Sequence, residues 1–426
     1  MIAGKGQSVS VVPTNLAMAV AFNTRVSFVT ELARKLHQYG TSASRLEDAV
    51  SSAAQRLGMR AEVWSSPTAI ILSYADMAQG EDGVAQVTEV VRLAPGDVNL
   101  SRLCEVDAIA DGVNDGRIGI EEGARQLRAL STPLTPAQRR GMVFGYGLSA
   151  AGFAALIRAS WADIVVAGLA GFLIGLVVLH TSRQPRLAPA TEAISAMVAT
   201  LVTTLIAVSI WPLDINLVVL TAVIVLVPGM SLTTAVRELS TQHLASGGAR
   251  LFGSLASMLK LIFGVVAVVQ LCKWIGVVPP PPPRVVMPWW VEWVALVVGS
   301  FGFALVFLAA RRDWLLVMLS AIAGYLASRL VGMEMGAGFG VFVGGLVLGA
   351  MSNVYARFRH RPGTLVREPG IILLVPGSVG FRTLAYLADR HVDTGMETAV
   401  LLVTLLVALV AGLLFGDLLV APRRSL

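Results

Sequence analysis

The sequence predicts an α-helical membrane protein in which a small soluble α+β domain precedes about ten transmembrane helices. Hydrophobic residues make up 55% of the 426 positions and charged residues only 14%, and the mean hydropathy is +0.72. Such values are typical of a chain that crosses a bilayer many times. Apolar runs long enough to span follow one another from Gly141 onward, whereas the first 140 residues lack them. The soluble part is therefore expected to come first.

The first 135 residues predict a loose arm followed by a soluble domain. Residues 1–24 show no hydropathy period and are expected to form a flexible arm. Residues 25–135 contain four amphipathic helical patterns, with strand-like runs between the second and the third. The strand-like runs are Arg60–Trp64, Thr68–Tyr74 and Ala85–Arg92, with a turn at Gly80–Gly83. No signal-peptide pattern is visible, which favours a cytoplasmic domain.

This domain shows no catalytic or metal-binding motif. His37 has no second histidine at metal-ligand spacing, and no serine-hydrolase elbow, zincin helix or phosphate-binding loop occurs. The two cysteines, Cys104 and Cys272, have neither metal-ligand nor disulfide spacing. We therefore expect no cofactor and no metal, and a transporter rather than an enzyme.

Ten apolar segments follow in two groups of five. The run Pro279–Pro283 separates the groups and is expected to form a stiff linker over residues 279–287. The first membrane module then covers residues 136–278 and the second covers residues 288–426. The ten predicted spans are residues 142–157, 163–180, 192–211, 214–236, 249–272, 288–309, 313–331, 336–356, 368–388 and 396–419.

Two short motifs, Val227-Pro228-Gly229 and Val375-Pro376-Gly377, each interrupt the fourth apolar segment of their module. Proline removes a backbone donor and clashes with the preceding turn, and glycine loosens the chain after it. Within hydrocarbon, such a break is tolerated only inside protein or beside a water-filled cavity. Paired broken helices in corresponding halves indicate the substrate site of a transporter.

The two modules correspond to each other at a nearly constant spacing. The two motifs lie 148 positions apart, and Asp163 and Asp313, each at the start of the second segment of its module, lie 150 apart. Because each module has five crossings, the second must insert upside down, so we expect an inverted repeat.

The basic residues predict the orientation of the chain. With the N-terminus inside, fourteen basic residues lie at cytoplasmic ends and six at outer ends. This asymmetry predicts a multi-pass plasma-membrane protein with both termini in the cytoplasm. The net charge of +6 is concentrated in the membrane modules, where it orients loops rather than binding nucleic acid.

Each break predicts a carboxylate site. The half-helix that begins there presents free N–H groups and a partial positive charge, although a ligand-free structural kink is the alternative. The candidate substrate-binding residues are Pro228, Gly229, Ser231, Thr233, Thr234, Pro376, Gly377, Ser378, Arg382, Thr203 and Asn353. Glu192 is the first candidate for proton coupling, followed by Asp163 and Asp214. For each of these three, an ordinary interfacial charge is the alternative.

Several segments of the chain resemble the sequences of the threonine/serine exporter family. The segments that carry the resemblance are residues 227–238, 243–251, 40–47, 120–130, 351–357, 361–362 and 374–377. They cover nearly the whole chain from about residue 25, in the order of the family, with both membrane modules fused. The resemblance implies export of small amino acids such as threonine and serine from the cytoplasm, driven by the proton gradient.

Other classes of function stay open beside this one. The resemblance raises a membrane-anchored hydrolase that uses the soluble domain, for which the sequence supplies no nucleophile–base pair. An uncoupled channel or scaffold is a third class. The expected partners are the substrate, protons and the lipid bilayer, and assembly as a homo-oligomer is left open.

Overall fold

The computed structural model describes residues 20–79, 86–282 and 287–422. Within these residues the chain forms two compact units. The N-terminal unit contains residues 20–98 and 102–132, and the membrane unit contains residues 99–101 and 133–422. The predicted arm up to residue 19, the predicted turn at 80–83 and residues 283–286 of the predicted linker lie outside the described residues.

The N-terminal unit combines helices with an antiparallel three-stranded sheet in the order β1-β2-β3. Its elements are α1 (Phe22–Gln38), α2 (Ala43–Arg56), β1 (Met59–Ser66), β2 (Ala69–Asp76), β3 (Val87–Arg92), α3 (Leu100–Asn114) and α4 (Ile120–Ala129). Ala61 lies opposite Tyr74, and Ile70 lies opposite Val91. The three predicted strands are confirmed, with bounds that differ by up to two residues. The four predicted helices are also present, but α1 begins at Phe22, three residues earlier than predicted, so residues 22–24 of the predicted arm are helical.

The core of this unit follows from the period-two pattern of β2. Ile70, Leu72 and Tyr74 point to one face and are fully buried against the helices. The Tyr74 hydroxyl lies 3.0 Å from Thr30 Oγ1, and burial raises the pKa of Tyr74 well above its ordinary value. The hydroxyl therefore stays neutral and its hydrogen bond is retained at all physiological pH values.

The described residues of the membrane unit form helices joined by turns and loops, and they contain no strand. Its helices are α5 (Pro136–Leu156), α6 (Trp161–Thr181), α7 (Thr191–Ser209), α8 (Ile215–Ala222), α9 (Gly229–Ser240), α10 (Leu244–Trp274), α11 (Trp290–Val306), α12 (Trp314–Met335), α13 (Ala337–Arg359), α14 (Thr364–Ile372), α15 (Gly377–Ala388) and α16 (Val392–Leu419). Helix α5 starts with a capping box, in which Thr135 Oγ1 accepts from the backbone of Gln138.

Seven segments of the described chain are long and apolar enough to cross a membrane. They are Trp161–Thr181, Ala188–Ser209, Leu244–Trp274, Arg311–Met335, Ala337–Arg359, Thr364–Ala388 and Val392–Leu419. Helix α11 is apolar but has only 17 residues. The chain is therefore a multi-span membrane protein, and the count of ten spans stays a prediction.

The fourth segment of each module is broken, as the two Val-Pro-Gly motifs predict. Helix α8 ends before the first motif and α9 begins with its glycine, whereas α14 and α15 flank the second motif in the same way. The two prolines have nearly the same backbone angles, φ −76° and ψ 45° at Pro228 and φ −79° and ψ 40° at Pro376. The two breaks thus share one local conformation.

The same backbone hydrogen bonds surround both breaks at an offset of 148 positions. Val227 N donates to Val223 O at 3.1 Å, and Val375 N donates to Ile371 O at 2.9 Å. The correspondence continues to the next helix, where the backbone amides of residues 247 and 395 donate to the carbonyls of residues 243 and 391, both at 2.9 Å.

Non-glycine residues in the left-handed backbone conformation also recur at matching positions of the two modules. Gln242 (φ 66°) and Arg390 (φ 63°) are 148 positions apart, and Arg158 (φ 59°) and Leu308 (φ 52°) are 150 apart. Such conformations are uncommon for residues with a Cβ atom. Their recurrence indicates that the two modules end their corresponding helices in the same way.

Helices α5 and α11 pack through small residues. A Cβ atom built on Gly152 would lie 2.6 Å from Gly299 Cα, and one built on Gly302 would lie 2.6 Å from Ser149 Oγ. No side chain fits in these gaps, so the two backbones approach closely. Small residues at helix crossings are the usual route to close packing in membranes.

We predict that Gly152→Ala and Gly302→Ala each destabilise the membrane unit by about 1–3 kcal/mol, because an added methyl group overlaps backbone atoms that cannot yield. Thermal unfolding of the full chain in detergent, followed with a thiol-reactive dye that labels buried Cys272 on unfolding in a Cys104→Ser background, measures the loss. Gly248→Ala and Gly253→Ala in α10 are the controls, since nothing lies within 4 Å of their added Cβ atoms. Equal melting temperatures for all four variants would contradict the prediction.

Candidate functional site

The two Val-Pro-Gly motifs lie against each other in the membrane unit. A Cβ atom built on Gly377 would lie 3.0 Å from Val227 Cγ1 and 3.4 Å from Gly229 Cα. One built on Gly229 would overlap the Val375 side chain and lie 3.3 Å from Gly377 Cα. Each glycine therefore packs against the valine of the other motif. We call residues 227–229 and 375–377 together the break junction.

The break junction brings two helix N-termini to the same place. Helices α9 and α15 both begin there, and each has 12 residues. In the first, Leu232 N bonds Pro228 O, which leaves the N–H groups of Met230 and Ser231 without intrahelical acceptors. In the second, the N–H groups of Ser378 and Val379 are left in the same way. Each N-terminus carries about half a positive charge, so their convergence favours an anion.

Apolar side chains surround the break junction. Val223, Leu232, Met258 and Phe381 are buried and belong to one hydrophobic cluster with Val227. The same cluster includes side chains from both modules. A polar ligand at the junction would therefore lose much of its hydration, which strengthens its interaction with the open N–H groups.

The candidate hydroxyl groups lie in different surroundings. Thr233 Oγ1 donates to Gly229 O at 3.1 Å, so it satisfies the backbone of its own helix. Ser231, Thr234 and Ser378 are half-buried. Thr203, in α7, is fully buried, and its Oγ1 atom has no hydrogen-bond partner within the described residues. A buried hydroxyl in that state is open to a ligand or a water molecule.

Two predicted substrate residues lie elsewhere. Arg382 is exposed, so its charge is not held at the break junction. Gly344 in α13 packs on Leu374, which lies beside the second motif. Asn353 lies nine residues further along α13, a distance of about 13 Å along the helix. Its Nδ2 atom donates to Asp417 Oδ1 and to Val420 O, both at 2.8 Å. Neither residue belongs to the junction itself.

Glu192 joins α7 to α10. Its Oε1 atom accepts from Ser257 Oγ at 3.0 Å, and Lys260 Nζ lies 3.5 Å from its Oε2 atom. The Glu192 side chain is 21% exposed. An ionisable side chain that is partly exposed and paired across two membrane helices is a candidate functional group.

Asp163 and Asp214 instead accept hydrogen bonds from backbone N–H groups. Asp163 is buried and accepts from the backbone and hydroxyl of Ser160 in a capping box, and its Oδ1 atom accepts from Asp214 N at 3.0 Å. Asp214 in turn caps α8 by accepting from Leu217 N at 3.0 Å. These two carboxylates fix the chain that leads into the first broken segment.

The second module fixes its broken segment with the corresponding carboxylate. Asp313, 150 positions after Asp163, is buried and accepts from both terminal nitrogens of Arg361 at 2.5 and 2.8 Å. Arg361 lies three residues before α14 begins. A guanidinium here takes the place of the backbone amide in the first module.

Sequence reasoning did not assign a role to three charged residues that the structure brings together with Asn353. Arg237 in α9, Arg367 in α14 and Asp417 in α16 form an ion-pair cluster. One signal was available, because each arginine lies nine residues from the proline of its own broken segment. No group of histidine, cysteine or acidic side chains suited to a metal ion occurs among the described residues.

Two family models match the chain. A threonine/serine exporter model matches residues 27–272, and a second, described as "Threonine/Serine exporter, ThrE", matches residues 292–419. Together they leave unmatched only the two ends and the stretch between the modules. No solved structure matches the chain.

Several curated fungal proteins are similar over most of the chain. An uncharacterized protein of Schizosaccharomyces pombe is 22% identical over 88% of this chain and 49% of its own length. Proteins named pheromone-regulated membrane protein 10 are 22% identical in Debaryomyces hansenii and 24% identical in Yarrowia lipolytica, each over 83% of this chain and over 36% and 30% of their own lengths. The chain thus spans half or less of the length of these relatives.

We predict that Gly229→Ala lowers the melting temperature of the full chain by several degrees, because the new methyl group overlaps the Val375 side chain. The double variant Gly229→Ala with Val375→Ala is expected to recover much of the loss, since the second change removes the overlapping atoms. Thermal unfolding in detergent of the wild type, both single variants and the double variant gives the coupling between the two sites. Additive effects would show that the two motifs do not touch.

Proposed function

Since the chain belongs to the threonine/serine exporter family, we propose that it is a secondary active exporter of small amino acids such as threonine and serine. The family membership supports a membrane transporter of small molecules. The observation that carries the proposal is the break junction, where two helix N-termini and their open N–H groups meet inside the membrane unit. Amino acids carry the carboxylate that such a place favours.

In this proposal the substrate binds at the break junction. Pro228, Gly229, Pro376 and Gly377 supply the open backbone, and the substrate carboxylate accepts from the N–H groups that follow each glycine. Ser231 and Ser378 lie within the first turns of α9 and α15, next to those N–H groups, and Thr234 lies in the second turn of α9. The unpartnered hydroxyl of Thr203 is the further polar group proposed to face the substrate hydroxyl or ammonium.

We propose that the two modules form an inverted repeat of five helices each. The recurring hydrogen bonds at offsets of 148 and 150 support related modules. The contact of Gly229 with Val375 and of Gly377 with Val227 is reciprocal, as two-fold symmetry requires. The asymmetry of the basic residues supports the further proposal that both termini lie in the cytoplasm of a plasma-membrane protein.

Proton coupling is proposed to act through Glu192. Protonation of its carboxyl group would end the ion pair with Lys260 and loosen the contact between α7 and α10. Helix α7 also carries Thr203, so the same movement would reach the proposed substrate site. Asp163 and Asp214 are the less favoured candidates, because their carboxylates bind backbone N–H groups.

A membrane-anchored hydrolase is the weaker proposal. The N-terminal unit brings Ser131 Oγ against Lys35 Nζ, a pairing that some hydrolases use as nucleophile and base. That ammonium group also lies 3.2 Å from Gln38 Oε1 and 3.4 Å from Glu31 Oε1. Its three donors thus have three acceptors, which is typical of a structural lysine.

We predict that proteoliposomes containing the full chain and preloaded with labelled threonine or serine release it faster when a pH gradient is imposed. The reason is that proton movement down its gradient drives the coupled exchange. Saturable release that an uncoupler abolishes is the expected result. Release that follows the substrate gradient regardless of pH would indicate an uncoupled channel instead. Labelling of purified protein by a serine-directed inhibitor, lost in Ser131→Ala, would favour the hydrolase.

We predict that Glu192→Gln reduces gradient-driven release to the level seen with the uncoupler, because the amide cannot take up a proton. The exchange of labelled for unlabelled substrate, which needs no net proton movement, is expected to persist. Glu62→Gln on an exposed strand of the N-terminal unit is the matched control and should change neither rate. Gradient-driven release at the wild-type rate in Glu192→Gln would remove the coupling role from this residue.

A further inference from the structure

A cluster of charged side chains joins the two broken segments to α13 and α16, away from the break junction. It consists of Arg237 in α9, Asn353 in α13, Arg367 in α14 and Asp417 in α16. Both arginines lie nine residues from the proline of their own segment, which puts Arg237 about 13 Å along α9 from the junction. The orientation proposed above places the cluster at the cytoplasmic ends of these helices.

The cluster is built around one carboxylate. Asp417 Oδ2 accepts from Arg237 Nη2 at 3.0 Å, and Asp417 Oδ1 accepts from Arg367 Nη2 at 2.5 Å and from Asn353 Nδ2 at 2.8 Å. Two guanidinium groups and an amide thus converge on two carboxylate oxygens. This donor set is the one that proteins use to bind free carboxylates.

Asp417 does not use all the donors that Arg367 offers. The Nε and Nη2 atoms of a guanidinium point the same way and together bind both oxygens of a carboxylate. Here the Arg367 Nε atom is buried and has no hydrogen-bond partner within the described residues, while Asp417 takes only Nη2. A buried donor without an acceptor is costly and rare in proteins. Of the two Arg367 donors that together bind a carboxylate, Nη2 is therefore used and Nε is not.

Burial divides the cluster into a closed side and an open side. The Arg367 side chain is 10% exposed and Asn353 is buried, whereas the side chains of Asp417 and Arg237 are 17% and 22% exposed. The cluster is therefore more exposed at Asp417 and Arg237 than at Arg367 and Asn353. Glu238, the acidic neighbour of Arg237, bonds Arg250 Nε at 3.1 and 3.2 Å and is engaged elsewhere.

We propose that Arg237, Arg367 and Asn353 form a second carboxylate-binding site, which Asp417 fills in this conformation and the carboxylate of a small amino acid fills in exchange. This inference rests on the proposed function, because it names the place where the exported substrate is first held. Exchange of one carboxylate for another leaves both arginines paired, so neither guanidinium group is left without an anionic partner. A ligand that binds both Nε and Nη2 of Arg367 also satisfies the donor that Asp417 leaves open.

The position of the arginines links this site to the break junction. Arg237 belongs to the helix that begins at the first break, and Arg367 to the helix that ends at the second. A carboxylate that bridges the two guanidinium groups thus holds the two broken segments together at one end. Release of Asp417 at the same time frees the end of α16 from both of them.

The test measures binding of L-threonine and of L-threoninamide, which lacks the carboxylate, to the full chain in lipid nanodiscs by calorimetry. Arg367→Lys keeps the charge but loses Nε, and we expect it to weaken L-threonine binding about tenfold while leaving L-threoninamide unchanged. Asp417→Asn removes the competing charge and is expected to tighten L-threonine binding about tenfold. Arg237→Lys provides a second loss variant if Arg367→Lys does not fold.

Arg25→Lys in the N-terminal unit is the matched control, because Arg25 also donates Nη2 to an aspartate, Asp76, at 2.7 Å while its buried Nε atom has no hydrogen-bond partner within the described residues. This variant should change the affinity of the chain for neither L-threonine nor L-threoninamide. An unchanged preference for L-threonine over L-threoninamide in Arg367→Lys and Asp417→Asn would overturn the proposed site and show a structural ion pair only, while threonine transport would still stand. If wild type binds no threonine, the same variants are tested with propionate and lactate. Arg367-dependent binding of those acids would keep the site and reject threonine, and no binding in Asp417→Asn would overturn the site.

Discussion

The structure depends on one requirement, that backbone donors and acceptors inside a bilayer find partners within the protein. A helix meets this requirement by itself, and a broken helix does not. The chain contains two breaks with nearly the same backbone angles at Pro228 and Pro376. It places them in contact, so that each is shielded by the other module and by a buried apolar cluster. The N–H groups in the first turns of α9 and α15 stay without intrahelical acceptors, and both helices begin at this contact.

Charged side chains in the membrane unit serve two different purposes. Asp163 and Asp313 are buried, and each fixes the chain that leads into a broken segment, one through backbone amides and one through a guanidinium. Glu192 and Asp417 instead bind side chains of neighbouring helices and are partly exposed. Carboxylates of the first kind hold helix ends in place, whereas those of the second kind are the ones proposed above to exchange their partner for a proton or a ligand.

Contacts between the modules are of two kinds as well. Helices α5 and α11 meet through glycines and a serine at backbone distance, a contact that leaves little room for sliding. The break junction and the cluster around Asp417 join the modules through short helix ends and exchangeable hydrogen bonds. A transporter that alternates between two openings needs both, because one contact must act as the fixed axis while the other rearranges.

The sequence by itself determined the membrane class, the two breaks and the spacing of the modules, because apolar length, proline and glycine act locally and leave a pattern in the chain. It also indicated Glu192 as a boundary charge, but its partner Lys260 lies on another helix and follows only from packing. The tertiary structure alone decided that Gly229 meets Gly377 and that Arg382 lies outside the junction. The shape of the helix surfaces sets which helices become neighbours, and a single sequence does not show these contacts.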